Sequence, residues 1–139
     1  ADSFSGAAIL FHRNLIQQIG MLDENLFWIE DVDFCYRAKQ TGLKLFYYPQ
    51  AVVVHHIGQS AKKNYNISIS NQVFNKIKFF RKYHSGTALF FVIAFSFISV
   101  SLKIILFFIL SLLNTTYFLK LKAYIYTLSR IFNIPKGIS

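Results

Sequence analysis

Three carboxylates lie close together at the start of a predicted helix: Glu30, Asp31 and Asp33. A helix N-terminus stabilises negative charge, and Asp33 with Arg37 at i, i+4 makes an ordinary surface ion pair, so one interpretation is purely structural. The other interpretation follows from Trp28 before the carboxylates and a Phe-Cys-Tyr run after them. Burial beside such residues makes ionisation costly, and a carboxylate placed there can act as a general base.

Two histidines, His55 and His56, end a predicted strand. Successive strand residues point to opposite faces, so at most one of the pair faces a given site, and the other is a surface or hydrogen-bonded histidine. A histidine with a carboxylate cluster suits a divalent cation such as Mg²⁺ or Mn²⁺. Cys35 is the single cysteine, and no Cys/His spacing indicates structural zinc.

The elements that would position these groups follow an α/β pattern. Apolar runs at 3–11, 43–48 and 51–56 predict strands, and residues 13–19 and 30–40 predict helices. The order strand, helix, loop, helix, strand, strand is typical of an α/β layer. We therefore expect an α/β fold for the first part of the chain.

The later part of the chain is predicted to be helical and membrane-associated. Residues 67–84 predict a basic amphipathic helix, and the apolar run 88–113 is long enough, as a helix, to cross a hydrocarbon core of about 30 Å. Lys103 interrupts that run, and a lysine near the bilayer centre costs about 2.5–3.5 kcal/mol. A re-entrant hairpin or an interfacial placement therefore stays open beside the spanning helix. The predicted parts are 1–86, 87–114 as the membrane segment, and 115–139 as a basic interfacial helix and tail.

Charge is divided unevenly along the chain. All six acidic residues lie in the first 33 positions, whereas residues 61–139 carry eleven bases and no acid. With 54% hydrophobic residues, a half that is basic and apolar at once indicates an anionic membrane surface and not a nucleic acid. More bases precede the apolar run than follow it, so the positive-inside rule places residues 1–86 in the cytoplasm.

Six short blocks occur in a characteristic order. They are Ser5-Gly6-Ala7-Ala8-Ile9, Ile19-Gly20-Met21-Leu22-Asp23-Glu24, Glu30-Asp31-Val32-Asp33-Phe34-Cys35-Tyr36-Arg37, Gly42, Pro49 and Val54-His55-His56. Over about residues 3–84 this pattern resembles the C-terminal part of the catalytic domain of family 2 glycosyltransferases, especially rhamnosyltransferase-like and galactofuranosyltransferase-like members. The resemblance implies a GT-A fold, an α/β domain that binds a nucleotide sugar and inverts the anomeric centre in one step.

The resemblance also implies residue roles. Asp31 matches the base that deprotonates the acceptor hydroxyl, Glu30 would help hold the acceptor, and His55 matches the histidine of the metal shell, with His56 a second choice. The remaining substrate-binding candidates are Gly6 and Ala7, which match small cleft residues, Asp23 and Glu24, which match the loop before the motif, and Trp28, Asp33 and Arg37.

The implied activity is transfer from a nucleotide-diphospho-sugar to a glycan or lipid-linked acceptor in bacterial cell-surface polysaccharide synthesis, at the cytoplasmic face of the inner membrane. The metal-binding Asp-x-Asp and nucleotide-binding strands of such enzymes lie upstream of these blocks, and Asp31-Val32-Asp33 occupies the base motif instead. We therefore expect residues 1–139 alone to be inactive. The alternative is a non-catalytic membrane-binding or assembly protein, or a truncated remnant.

Overall fold

The structure is a computed structural model that describes residues 1–56 and 65–133. The chain divides into two compact units, an N-terminal unit (residues 1–59) and a C-terminal unit (residues 60–139). The N-terminal unit contains α1 (Arg13–Ile19), a 3₁₀ turn (Glu24–Leu26) and α2 (Glu30–Gln40). The C-terminal unit contains α3 (Tyr65–Tyr83), α4 (Thr87–Leu113), a 3₁₀ turn (Thr115–Tyr117) and α5 (Phe118–Phe132).

The predicted α/β fold, and with it the GT-A domain implied by the resemblance, is wrong for the described residues, which form helices and no strand or sheet. The three predicted strands, 3–11, 43–48 and 51–56, lie outside the helices. A β-strand forms only where a neighbouring strand makes hydrogen bonds to its backbone N–H and C=O groups, and no described segment pairs with these residues in that way. Apolar side chains such as Leu10 and Val52 consequently remain exposed.

The N-terminal unit is organised by the packing of α1 on α2. Leu15 of α1 is buried against Phe34 and Ala38, which lie four residues apart on one face of α2. Leu45 packs against the same cluster, and the Phe11 ring lies 5.2 Å from that of Phe34. This small core fixes the first turn of α2, which carries the three carboxylates.

An ion pair inside this unit ties the loop after α1 to α2. Arg37 Nε donates to Asp33 Oδ2 at 2.7 Å, and the Asp33 side chain is completely buried. The same guanidinium donates to the carbonyl of Ile19 and, at 2.7 Å, to that of Met21. The prediction of an ordinary surface pair is therefore wrong, because the Asp33 side chain is fully buried and the loop after α1 covers most of the Arg37 side chain.

The C-terminal unit is a bundle of three helices. Ile77 of α3, Val100 of α4 and Ile131 of α5 form its buried cluster. The predicted division near residue 86 differs from the observed one, because α3 packs with the two helices that follow it. α4 continues without a break through Lys103 and is long and apolar enough to cross a membrane. That α4 spans a membrane remains a prediction.

Arg37→Met should destabilise the N-terminal unit because it leaves the Asp33 carboxylate buried without the guanidinium. Removing one partner of a buried ion pair costs about 3–5 kcal/mol. We expect a loss of this size in the free energy of unfolding, measured by urea titration with the fluorescence of Trp28, the single tryptophan. Arg13→Met, at the exposed start of α1, is the control and should change stability by less than about 0.5 kcal/mol. Equal losses in both variants would contradict a structural role for the pair.

Candidate functional site

A cleft of about 290 Å³ lies beside the first turn of α2. Glu30 and Asp31 are the charged residues among the described residues that line it, and Gly6 and Ala7 line the same cleft. Its remaining wall is mostly apolar, with Phe34 among the contributors. The structure therefore brings together both predicted catalytic carboxylates and both predicted small residues.

Backbone N–H groups orient the Asp31 carboxylate. Gly6 N donates to Oδ2 at 2.6 Å, and Val32 N donates to Oδ1 at 2.8 Å. A carboxylate oxygen has two lone pairs, so each oxygen keeps capacity to accept a proton from a ligand hydroxyl. The side chain is partly exposed to solvent, so a ligand in the cleft can reach it.

Gly6 allows the chain to approach Asp31 closely. A Cβ built on Gly6 would lie 3.4 Å from Asp31 Cβ and 3.5 Å from Oδ2. A methyl group fits at that distance as an ordinary contact, but a larger side chain would press on the carboxylate. The hydrogen bond of 2.6 Å comes from the Gly6 backbone, and the absence of a large side chain at this position keeps the cleft open.

The side chains of Asp31 and Asp33 lie in different surroundings although the two residues are only two positions apart. Two residues correspond to about 200° around an α-helix, so their side chains leave α2 on opposite sides. Asp33 lies in the core on Arg37, and Asp31 faces the cleft. Neither Asp33 nor Arg37 is among the described residues that line the cleft, and their predicted substrate contacts stay predictions.

Two buried side-chain atoms of residues close to Asp31 in sequence lack hydrogen-bond partners in the described part of the chain: Trp28 Nε1 and Glu30 Oε2. Trp28 also has a φ of 87°, which is a genuine outlier for a bulky residue. Backbone strain and unsatisfied buried polar atoms cluster at binding sites. Of the two residues, Glu30 lines the cleft described above.

A second, larger cleft of about 750 Å³ shares the segment Ala7–Ile9 with the first as a wall. Its other side includes the exposed aromatic residues Phe46, Tyr47 and Tyr48. The predicted strand at 43–48 gave no indication that these residues line a cleft. The only sequence signal was the local density of aromatic residues beside Pro49.

The other predicted site residues lie elsewhere. Asp23 accepts from Asn25 N at 3.0 Å and caps the 3₁₀ turn in which Glu24 is exposed. His55 and His56 are exposed in the segment after the second cleft. Within residues 1–56 and 65–133 no three His, Cys, Asp or Glu side chains are grouped closely enough to hold a metal ion. The metal role of His55 therefore stays a prediction.

Trp28→Phe should not destabilise the protein, although it replaces a large side chain by a smaller one. A buried N–H without an acceptor costs about 1–3 kcal/mol, and phenylalanine has no such group. We expect the free energy of unfolding, followed by circular dichroism, to stay unchanged or rise by up to about 1 kcal/mol. Phe34→Leu removes buried volume without removing a polar atom and should cost at least about 1 kcal/mol. A matching loss in Trp28→Phe would show that its indole N–H is satisfied.

Comparison with known proteins leaves the site to be interpreted from its own residues. No family model, curated protein or solved structure matches this chain. The resemblance to family 2 glycosyltransferases therefore rests on the order of the six short blocks in the sequence.

Proposed function

We propose that this chain is the acceptor-side portion of a membrane-bound glycosyltransferase, with Asp31 as the catalytic base. The observation that carries the proposal is the position of Asp31, which lines a cleft beside Gly6 and has both oxygens oriented by backbone N–H groups. The order of the family-like blocks over residues 3–84 supports the same assignment.

In the proposed reaction the acceptor hydroxyl attacks the anomeric carbon of a nucleotide-diphospho-sugar. The new C–O bond forms as the bond from that carbon to the diphosphate breaks, and the hydroxyl proton passes to Asp31. The nucleoside diphosphate leaves with the bonding electron pair, and the anomeric configuration is inverted. A positioned general base contributes roughly 10²–10⁴-fold to such a step.

Glu30 would help hold the acceptor, because it lines the cleft beside Asp31 and its carboxylate can accept from a sugar hydroxyl. Trp28 stays a candidate on its place in the sequence motif. Exposed rings in the neighbouring cleft, such as Tyr47 and Tyr48, suit the apolar faces of sugar rings. A glycan or lipid-linked glycan therefore fits the polar and aromatic groups present.

The expected divalent cation has no fitting ligand set among the described residues. His55 is exposed and is not grouped with two further possible ligands. The assignment of Mg²⁺ or Mn²⁺ consequently depends on the resemblance alone, and no step of the reaction above is derived through a metal ion. We propose that donor-binding residues are encoded upstream in the same reading frame.

Membrane association is supported by α4, which is long and apolar enough to cross a bilayer. We propose that the protein works at the cytoplasmic face of the bacterial inner membrane, where a basic and apolar C-terminal unit would meet anionic lipid. The competing function is a non-catalytic membrane-binding protein, which the absence of acidic residues after Asp33 favours. The two functions differ in one testable respect: glycosyl transfer requires the Asp31 carboxylate, whereas membrane binding does not.

Asp31→Asn and Asp33→Asn make a matched pair of tests within one motif. Asp31→Asn keeps one oxygen, which can accept from Gly6 N–H, but loses the acceptor of Val32 N–H and removes the base. Transfer should therefore fall at least about 10²-fold, with a loss of stability of no more than about 1.5 kcal/mol. Asp33→Asn removes the negative charge of the buried ion pair and leaves the Arg37 guanidinium without it, so the unfolding midpoint should fall. Both are measured in membranes that contain the protein expressed from its native reading frame, with a panel of labelled nucleotide-diphospho-sugars. Full activity in Asp31→Asn would overturn the assignment of the base.

A further inference from the structure

The C-terminal unit has charge of one sign only. It carries eleven lysines and arginines and no aspartate or glutamate. In its described residues six cations lie over aromatic rings: Lys78 and Arg130 over Phe74, Lys82 over Tyr83, Lys103 over Tyr124, Lys120 over Phe107 and Tyr117, and Lys122 over Phe118. A ring attracts a cation without cancelling its charge. Neutralisation must therefore come from an anion outside the unit.

α4 turns one face toward the other helices. Ser96 and Val100 are buried on that face. Lys103 Nζ lies 5.3 Å from the Tyr124 ring, and Phe107 stacks on the same ring at 5.5 Å. Positions 96, 100, 103 and 107 repeat every three or four residues, so they share one side of the helix. The cation of α4 is thus directed toward α5.

The opposite face of α4 is apolar, and the described residues leave it exposed. Its stripe consists of residues that are all at least half exposed: Phe91, Phe95, Ile98, Leu102, Ile105, Ile109 and Leu112. Their spacing of three or four residues makes one continuous band of about 32 Å. Such a band requires an apolar covering, and the single-sign positive charge of the same unit favours anionic lipid over an apolar protein surface.

The packing of α5 on α4 conflicts with a spanning orientation. Val100, at the midpoint of α4, shares a buried cluster with Ile131 of α5. Next to Ile131, Arg130 donates to Ser70 Oγ at 3.0 Å, and Lys103 lies one turn beyond the midpoint. A helix of about 40 Å can slide only about 5 Å either way in a hydrocarbon core of about 30 Å. Lys103 and Arg130 would therefore lie within the hydrocarbon core wherever a membrane-spanning α4 is positioned.

We propose that α4 lies in the plane of the membrane interface, with the apolar stripe among the acyl chains and the cations of the unit at anionic phospholipid headgroups. This orientation keeps the observed packing of α3, α4 and α5, and it places both ends of α4 on the same side of the bilayer. The inference rests on the proposed membrane association and is independent of glycosyl transfer.

Labelling from each side of the membrane tests this orientation. In a Cys35→Ala background, single cysteines are introduced at the exposed positions Ser85 and Thr115, which flank α4. A membrane-impermeant maleimide is applied to right-side-out and inside-out vesicles from cells that express the protein. We expect both cysteines to react in inside-out vesicles and neither in right-side-out vesicles. Reaction of one cysteine in each kind of vesicle would overturn the proposal and leave membrane association intact, whereas a protein absent from the membrane fraction would overturn both.

A depth profile gives a second, independent readout. Single cysteines at Phe91, Leu102 and Leu112 of the stripe are labelled with a fluorophore, and quenching is measured with lipids that carry quenchers at different depths, in phosphatidylcholine vesicles with phosphatidylglycerol. An in-plane helix places all three probes at one depth, whereas a spanning helix places Leu102 deepest. Lys122→Cys, exposed on α5, is the control and should remain at headgroup level. Omitting phosphatidylglycerol should weaken vesicle binding at least about tenfold, and equal binding would contradict the role of the cations.

Discussion

The N-terminal unit depends on a single guanidinium group. Arg37 pairs with Asp33 inside the core and also donates to the carbonyls of Ile19 and Met21, so it joins the end of α1 to α2. Because Asp33 is held inward, the rigid helix turns Asp31 outward by about 200°. One buried interaction consequently decides which carboxylate has a structural role and which one faces the cleft.

The helices could be predicted from the sequence because their determinants are local. α1 and α2 begin and end at the predicted residues, since apolar periodicity and the glycines that follow mark their limits. The strands could not be predicted reliably, because apolar runs at 43–48 and 51–56 show a need for burial but not a pairing partner. Burial of the Asp33–Arg37 pair could not be predicted either. The i, i+4 spacing predicts that the two side chains meet, but the carbonyl group that also binds Arg37 belongs to the loop after α1.

The candidate site likewise has some features that the sequence predicts and others that only the fold reveals. Motif order predicted that Gly6, Glu30 and Asp31 belong together, and the structure places all three around one cleft. The positive φ of Trp28 has no sequence signal, because that conformation is usually marked by glycine. The Trp28 indole N–H and the Glu30 oxygen have no hydrogen-bond partner among the described residues, and this depends on which distant groups lie beside them in the fold. Local rules describe which groups are present, and only the fold shows which of them are unsatisfied.

In the C-terminal unit aromatic rings replace carboxylates as the partners of cations. An ion pair would both position a lysine and cancel its charge, whereas a ring positions the cation by its quadrupole and leaves the full charge in place. Lys103 and Lys120 are thus held on α5 and α4 rings without losing their attraction for phosphate. A unit built in this way keeps its long-range electrostatic field, and in the proposed in-plane orientation an anionic lipid surface would supply the negative charge that its own sequence lacks.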